Sequence, residues 1–180
     1  MRSLVGLVLV GVIALAILSM KTQWEDNIGK TGELIPAAHA KAAPNFTLPE
    51  MATGRMVDLQ TEARKQPIVF SFWATWCGPC REELPKLQTL SEKYRGRVQF
   101  YGVNSDDSLP DAKKFLAKNN LTFPMLLDDQ HAAHNGYGVE SIPMLFVIDT
   151  SGKVRAITEG YSVEASERLP KVLDALLAEK

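Results

Sequence analysis

Residues 67–80 of this 180-residue chain read PIVFSFWATWCGPC, and this stretch decides the fold. Its first seven residues are nearly all apolar, which is the pattern of a strand buried on both faces of a sheet. After the second cysteine the period changes, because Leu84, Leu87 and Leu90 recur at the spacing of one helix face. The stretch therefore predicts a central strand that leads through the two cysteines into a helix.

Outward from this centre, the chain alternates short strands with helices. The predicted strands span residues 46–48, 56–59, 67–73, 98–103, 124–127, 144–148 and 153–158, and further helices lie at 111–120 and at the C-terminus. The first two strands read as a small hairpin, and the tight turn at Ser151-Gly152 makes the last two strands antiparallel neighbours. We expect an α/β fold with a mixed central sheet flanked by helices and an N-terminal β-hairpin extension.

The composition is that of an ordinary globular domain with an appendage. The chain is 46% hydrophobic and 23% charged, and its length leaves room for one compact domain plus an additional segment. The net charge is -1. Since nucleic-acid-binding proteins usually carry a basic stripe, we expect no nucleic-acid partner.

The appendage is an apolar N-terminal segment. Residues 4–20 carry no charge, and seventeen residues are the lower end of what crosses a bilayer as a helix. We predict an uncleaved signal-anchor at residues 1–21 that contacts the lipid bilayer, a flexible tether at 22–43, and the domain at 44–180. The alternative is a cleaved signal peptide, although its best cleavage pattern, at residues 38–40, lies far beyond the apolar run.

This segment also predicts a location. Arg2 precedes the apolar run, and positive charge on the short N-terminal side favours an N-terminus in the cytoplasm. We therefore expect a single-pass protein of the cell membrane whose domain lies on the extracytoplasmic, periplasmic side.

The chain has only two cysteines, Cys77 and Cys80, and three interpretations compete for them. A structural disulfide closing so small a loop constrains the unfolded chain little. A zinc site needs two more ligands, and the only pair to offer, His131 and His134, lies some fifty residues away at an unusual spacing, so we expect no metal. The third interpretation is a redox-active dithiol.

The local physical chemistry favours the dithiol. Cys77 falls near the N-terminus of the predicted helix, where free amide N–H groups stabilise a thiolate and lower the thiol pKa. Pro79 suits an early helical position, because its missing N–H is no loss there. Cys80 lies one turn inward, from where it can attack a mixed disulfide and release a reduced substrate.

The stretch at residues 72–80 resembles the active site of thioredoxin. Pro85, in mid-helix, matches the kink proline of that family, and Ile142-Pro143 before a strand resembles its cis-proline. The hairpin and the REELP sequence after the second cysteine resemble the TlpA, ResA and CcmG-type extracytoplasmic thiol-disulfide oxidoreductases. The resemblance covers residues 44–180 and implies a thioredoxin-like fold.

The resemblance also implies site residues. The catalytic residues would be Cys77, Cys80 and Glu83, with Glu83 near the cysteines and able to take the proton from Cys80. The alternative for this glutamate is a carboxylate on the surface of the helix beside Glu82. No cofactor is implied.

The substrate would bind in a groove beside the cysteines. Its expected residues are Trp76, Gly78, Pro79, Ile142 and Pro143. The bond before the last of these is expected in cis, which leaves the backbone of the preceding residue free to pair with an extended substrate segment.

Two positions depart from the general thioredoxin pattern. Ser71 stands where cytoplasmic thioredoxins carry a buried Asp, which moves the role of base to Glu83. Met144 stands where a Thr usually follows the cis-proline, and a thioether there predicts a more apolar groove.

The leading functional prediction is a membrane-anchored reductase of protein disulfides. The resemblance suggests apocytochrome c as the first substrate, in cytochrome c maturation, and an electron donor of the CcdA or DsbD kind in the membrane. The alternatives are a thiol oxidase or isomerase, a peroxidase, and a tethered binding or chaperone module with a non-catalytic disulfide.

Overall fold

The computed structural model describes residues 31–105 and 108–179. The strands are β1 (Thr47–Pro49), β2 (Met56–Asp58), β3 (Ile68–Trp73), β4 (Gln99–Asn104), β5 (Met125–Leu127), β6 (Met144–Ile148) and β7 (Val154–Glu159). The helices are α1 (Leu59–Ala63), α2 (Gly78–Lys93), α3 (Leu109–Lys118), α4 (Ala132–Gly136) and α5 (Val163–Ala178).

Five strands form the central sheet in the order β5-β4-β3-β6-β7. The pairs β3–β4 and β4–β5 are parallel, whereas β3–β6 and β6–β7 are antiparallel. Strands β1 and β2 pair antiparallel in a separate two-stranded sheet. The predicted mixed sheet with flanking helices and an N-terminal hairpin is confirmed.

The central strand β3 is buried on both faces, as its apolar sequence predicts. Successive side chains point to opposite faces of a sheet. Val69 and Trp73 accordingly join the core beneath α2, α3 and α5, whereas Phe70 and Phe72 join the core beneath the hairpin. Because β3 lies in the middle of the sheet, the segment that follows it is held rigidly at the carboxyl edge.

Two short helices were not predicted. Leu59, expected at the end of a strand, begins α1, because the Asp58 side chain caps it by accepting the Thr61 amide at 2.8 Å. Helix α4 has five residues, too few to show a helical period in the sequence.

Residues 31–43, assigned from the sequence to a flexible tether, run along the outer edge of β7. Gly32 N–H donates to the Ile157 carbonyl at 2.7 Å, and Ile35 N–H donates to the Arg155 carbonyl at 2.7 Å. This part of the chain therefore covers an edge that would otherwise expose unpaired backbone groups. The domain boundary at residue 44 stays a prediction.

The predicted localisation, a single-pass membrane protein with an extracytoplasmic catalytic domain, is corrected and not retained. None of the helices in residues 31–105 and 108–179 is both long and apolar enough to cross a bilayer. The longest, α2 and α5, have 16 residues each, whereas a span needs about 20 mostly apolar ones. The segment on which the prediction rests, residues 4–20, lies outside the described residues.

Candidate active site

The two cysteines lie at the N-terminus of α2, directly after the carboxyl end of β3. Cys77 is the N-cap residue, and its sulfur accepts the Cys80 amide N–H at 3.2 Å. The preceding turn is closed by the Cys77 N–H, which donates to the Ala74 carbonyl at 3.2 Å. The two cysteines form a disulfide with a Cα–Cα distance of 5.3 Å.

The cysteines differ in accessibility. Cys77 retains 4% of its surface, whereas Cys80 is fully buried. The free N–H groups of a helix N-terminus stabilise a negative charge at the N-cap, which is where the Cys77 sulfur lies. The geometry therefore favours Cys77 as the sulfur that meets another molecule.

The Ile142-Pro143 bond is cis, as predicted, and its loop lies against the disulfide. The Cys77 sulfur is 3.6 Å from the Ile142 carbonyl oxygen. The loop is tied to the end of β7 by the Gly160 N–H, which donates to the Pro143 carbonyl at 2.8 Å. Ile142, a predicted site residue 65 positions beyond Cys77, thus borders its sulfur.

Glu83 is buried and does not lie on the surface of the helix. It is 5% exposed, and its position three residues after Cys80 places both on the inner face of α2. The Ser71 hydroxyl donates to a Glu83 carboxylate oxygen at 2.5 Å. Burial raises the pKa of Glu83 to about 7, and the Ser71 hydrogen bond offsets only part of that rise.

Glu83 also lines a small cavity between α2, β7 and α5. The cavity has a volume of about 20 Å³, which is enough for one water molecule, and its lining includes Lys86, Tyr161 and Ser166. A water there could carry a proton between the buried carboxyl and the surface.

The remaining predicted groove residues lie at the surface around the disulfide. Trp76 is 71% exposed, and Gly78 and Pro79 in the first turn of α2 are exposed as well. Trp73 is fully buried instead, with its ring centroid 5.6 Å from that of Phe115. The two tryptophans therefore have different roles, and Trp76 is the one that another protein can contact.

The chain is similar to known proteins in sequence and in fold. A family model described as AhpC/TSA matches residues 40–157. The chain belongs to the AhpC/TSA family.

Relatives of this AhpC/TSA protein are named for thiol-disulfide chemistry. The thiol-disulfide oxidoreductase ResA of Geobacillus thermodenitrificans is 36% identical over 129 residues, which cover 71% of this chain and 73% of that one. The thioredoxin-like protein YneN of Bacillus subtilis is 32% identical over 121 residues, covering 66% and 69% of the two chains.

Solved structures of thiol-disulfide proteins resemble this AhpC/TSA protein in fold. The thiol:disulfide interchange protein DsbE from Chlorobium tepidum superposes with a TM-score of 0.72 at 34% identity, covering 77% of this chain and 97% of that one. StoA from Bacillus subtilis gives a TM-score of 0.62 at 26% identity, covering 73% and 98%. The thioredoxin-like fold is confirmed, and the protein is a thiol-disulfide oxidoreductase, as predicted.

Met144 was expected to make the substrate groove more apolar, but in this AhpC/TSA protein its side chain does not line the groove. It is buried in β6, paired with Phe72, and its side chain belongs to the core beneath the hairpin. The sequence position next to the cis-proline suggested a surface role, but the pleat of β6 turns this side chain inward.

His131 is the N-cap residue of α4 and His134 lies in its last turn, and both are half-buried. The ring of His134 packs edge-on against Phe72 at 5.9 Å. Within residues 31–105 and 108–179, no group of three or more His, Cys, Asp or Glu side chains could hold a metal ion.

One residue at the site was missed by sequence reasoning. The Arg81 guanidinium donates from Nε and Nη2 to the Thr75 carbonyl, at 2.9 and 2.6 Å. The only signal in the sequence is a basic residue directly after the second cysteine, in the first turn of α2. That position does not indicate a contact back to the turn before the motif.

Proposed function

We propose that this thiol-disulfide oxidoreductase reduces disulfides in protein substrates, with Cys77 as the attacking thiol and Cys80 as the resolving thiol. The observation that carries the proposal is the asymmetry of the pair. Cys77 is the N-cap of α2 and the more accessible sulfur, whereas Cys80 is fully buried behind it.

The reaction proceeds by two thiol–disulfide exchanges. The Cys77 thiolate of the reduced enzyme attacks one sulfur of the substrate disulfide, and the other substrate sulfur leaves as a thiolate. Cys80 then loses its proton and attacks the Cys77 sulfur, which releases the second substrate sulfur. Two electrons pass to the substrate, and the enzyme ends with the Cys77–Cys80 disulfide.

Glu83 accepts the Cys80 proton in this proposal. Its burial on the same helix face as Cys80 and its pKa of about 7 are what a proton acceptor near neutral pH requires. The cavity beside Glu83 provides the exchange of that proton with solvent.

The substrate binds across Trp76, Gly78, Pro79, Ile142 and Pro143. The exposure of Trp76 and the 3.6 Å distance between the Cys77 sulfur and the Ile142 carbonyl oxygen support this groove. An extended substrate segment pairs with the backbone of Ile142, which brings its disulfide onto Cys77.

The proposed substrate and electron donor follow from the sequence resemblance alone. Apocytochrome c is the proposed substrate, because its two cysteines must be reduced before haem attachment. An electron donor of the CcdA or DsbD kind then reduces the Cys77–Cys80 disulfide and completes the cycle.

The direction of electron flow is tested by the reduction potential of the Cys77–Cys80 couple. A reductase is expected to have a potential well below about -180 mV, the value of protein disulfide isomerase. A potential near about -120 mV, as in the oxidant DsbA, would contradict reduction and make the protein a thiol oxidase.

The roles of the two cysteines are tested by trapping. Cys80→Ser is expected to accumulate mixed disulfides through Cys77, because no thiol remains to resolve them. Cys77→Ser, the matched control, is expected to trap far less, since the buried Cys80 sulfur is not accessible to a protein. Equal trapping by the two variants would contradict the assignment, and no trapping by either would favour a binding module.

A further inference from the structure

Arg81 is held between two parts of the fold. Its guanidinium makes a two-pronged contact with the Thr75 carbonyl, through Nε at 2.9 Å and Nη2 at 2.6 Å. The same guanidinium lies 5.9 Å from the centre of the Phe115 ring on α3. That ring in turn packs against the buried Trp73 ring, with the two ring centres 5.6 Å apart and the planes tilted by 34°. The arginine thus connects the first turn of α2, the turn before it, and α3.

The Thr75 carbonyl has a direct geometric relation to Trp76. A peptide bond is planar, so the Thr75 carbonyl and the Trp76 N–H belong to one rigid unit. Fixing the oxygen therefore fixes the plane from which the Trp76 side chain projects. A second hydrogen bond, from the Cys77 N–H to the Ala74 carbonyl, closes the turn that contains Thr75 and Trp76.

Trp76 needs such an anchor because packing does little to hold it. The side chain is 71% exposed, unlike the fully buried Trp73 three residues earlier. When an exposed aromatic side chain must become ordered on binding, the loss of its freedom lowers the affinity of the protein for its substrate. Holding the side chain in the bound position beforehand avoids this loss.

We propose that Arg81 is a positioning residue that holds the Thr75–Trp76 peptide so that the Trp76 side chain is preorganised to receive the protein substrate. The inference rests on the proposed function, because Trp76 acts here as a substrate-contacting residue. The Arg81 guanidinium contacts the Thr75 carbonyl and the Phe115 ring, and in this proposal it acts through Trp76 and not on the sulfur atoms. Its shape matters more than its charge, since a guanidinium offers two parallel donors and a lysine ammonium does not.

The test compares two substrates of the full-length protein. For insulin, a protein disulfide, Arg81→Met is expected to raise KM about two- to tenfold with little change in kcat, the range expected for a lost hydrogen bond. For cystamine, a small disulfide that reaches Cys77 without contacting the indole, the rate is expected to change less than about twofold, which is below the range for a lost hydrogen bond. A similar loss with both substrates would overturn the proposal, because it would assign Arg81 to the chemistry of the cysteines.

A double-mutant cycle with Trp76→Ala separates positioning from general structure. Trp76→Ala is expected to raise the KM for insulin by itself, and adding Arg81→Met to it should cause no further rise. Additive effects would overturn the proposal.

Arg81→Lys keeps the positive charge and loses the two parallel N–H donors of the guanidinium. Its KM for insulin is therefore expected between those of wild type and Arg81→Met. A KM equal to that of wild type would overturn the role of the paired donors. Arg95→Met, an exposed arginine beyond the far end of α2, is the matched control and should leave both substrates unaffected.

One measurement needs no substrate. The NMR order parameter of the Trp76 backbone amide is expected to fall in Arg81→Met from about 0.85 towards about 0.6. An unchanged value would overturn the positioning role. If wild type fails to reduce insulin, the proposed function fails, while the order parameter still decides whether Arg81 positions Trp76.

Discussion

At the scale of single residues, Ser71 and Glu83 share one buried site between β3 and α2. Ser71 is fully buried and donates its hydroxyl to the Glu83 carboxylate. A carboxylate with one neutral donor and little water is poorly stabilised, so the pKa of Glu83 rises to about 7. The small side chain of Ser71 on the central strand leaves room for a carboxyl group that comes from the helix.

This site predicts a pH dependence of stability for the oxidised protein. The folded state holds the Glu83 proton more tightly than the unfolded state, whose pKa is about 4.5. The stabilising contribution of Glu83 is therefore full below pH ~4.5 and is lost as the pH rises through about 7. The shift corresponds to a fall of about 3 kcal/mol in the free energy of unfolding.

Urea unfolding at several pH values between 4 and 8 measures this fall (the range brackets the two pKa values). Glu83→Gln is expected to lack it, because the amide does not titrate. Glu82→Gln, the neighbouring exposed carboxylate, is the control and should keep the wild-type pH dependence. Parallel curves for wild type and Glu83→Gln would contradict the buried titration.

At the scale of elements, β3, β4 and β5 approach closely where Gly102 lies. Gly102 pairs in register with Ser71 on β3 and Met125 on β5. A Cβ atom at this position would lie 2.8 Å from the Trp73 ring nitrogen and would clash with the Met125 sulfur. The missing side chain is what leaves room for the buried Trp73 ring beside β4.

Gly102→Ala is therefore expected to destabilise the fold by about 1–3 kcal/mol through overpacking. Met125→Ala in the same protein should restore part of this loss, because it removes one of the two close contacts. The free energy of unfolding in urea measures both effects. Gly136→Ala, where a Cβ would meet nothing within 4 Å, is the control. A loss at Gly102 no larger than at Gly136 would show that the core adjusts freely.

At the scale of the whole molecule, Arg155 joins the segment around Ile35 and the residue after α5 to the sheet. This buried side chain on β7 donates to the Ile35 carbonyl at 2.8 Å and to the Asp149 carboxylate at 3.3 Å. Its third contact is the Glu179 carboxylate, just after α5, at 2.8 Å. These contacts lie at the end of β7 that pairs with Ile148, opposite the end that borders Pro143.

Arg155→Met is expected to lower the free energy of unfolding by about 3 kcal/mol, because it leaves a partly buried carboxylate without its partner. The rate at which dithiothreitol reduces the Cys77–Cys80 disulfide should stay unchanged, since the active site lies at the other end of the sheet. Arg64→Met, on the surface, is the control for removing an arginine. A similar small loss in both variants would show that the contacts of Arg155 with Ile35, Asp149 and Glu179 do not stabilise the fold.

The sequence by itself determined the features that local patterns encode. The apolar run of β3 and the helical period of α2 fixed the change from strand to helix around Cys77 and Cys80. The resemblance added the cis bond before Pro143. These features were predictable because each depends on residues close together in the chain, or on a motif that carries its own geometry.

Only the tertiary structure decided which side chains meet around the disulfide. Glu82 and Glu83 are adjacent acids, and the packing of α2 on β3 determines that the second is buried against Ser71. Likewise, the sequence shows Arg81 only as a basic residue on an exposed helix turn. Its hydrogen bonds to the Thr75 carbonyl depend on the conformation of the turn before the cysteines. The physical reason is that periodicity records which face of an element is apolar, whereas partners from separate elements depend on how those elements pack.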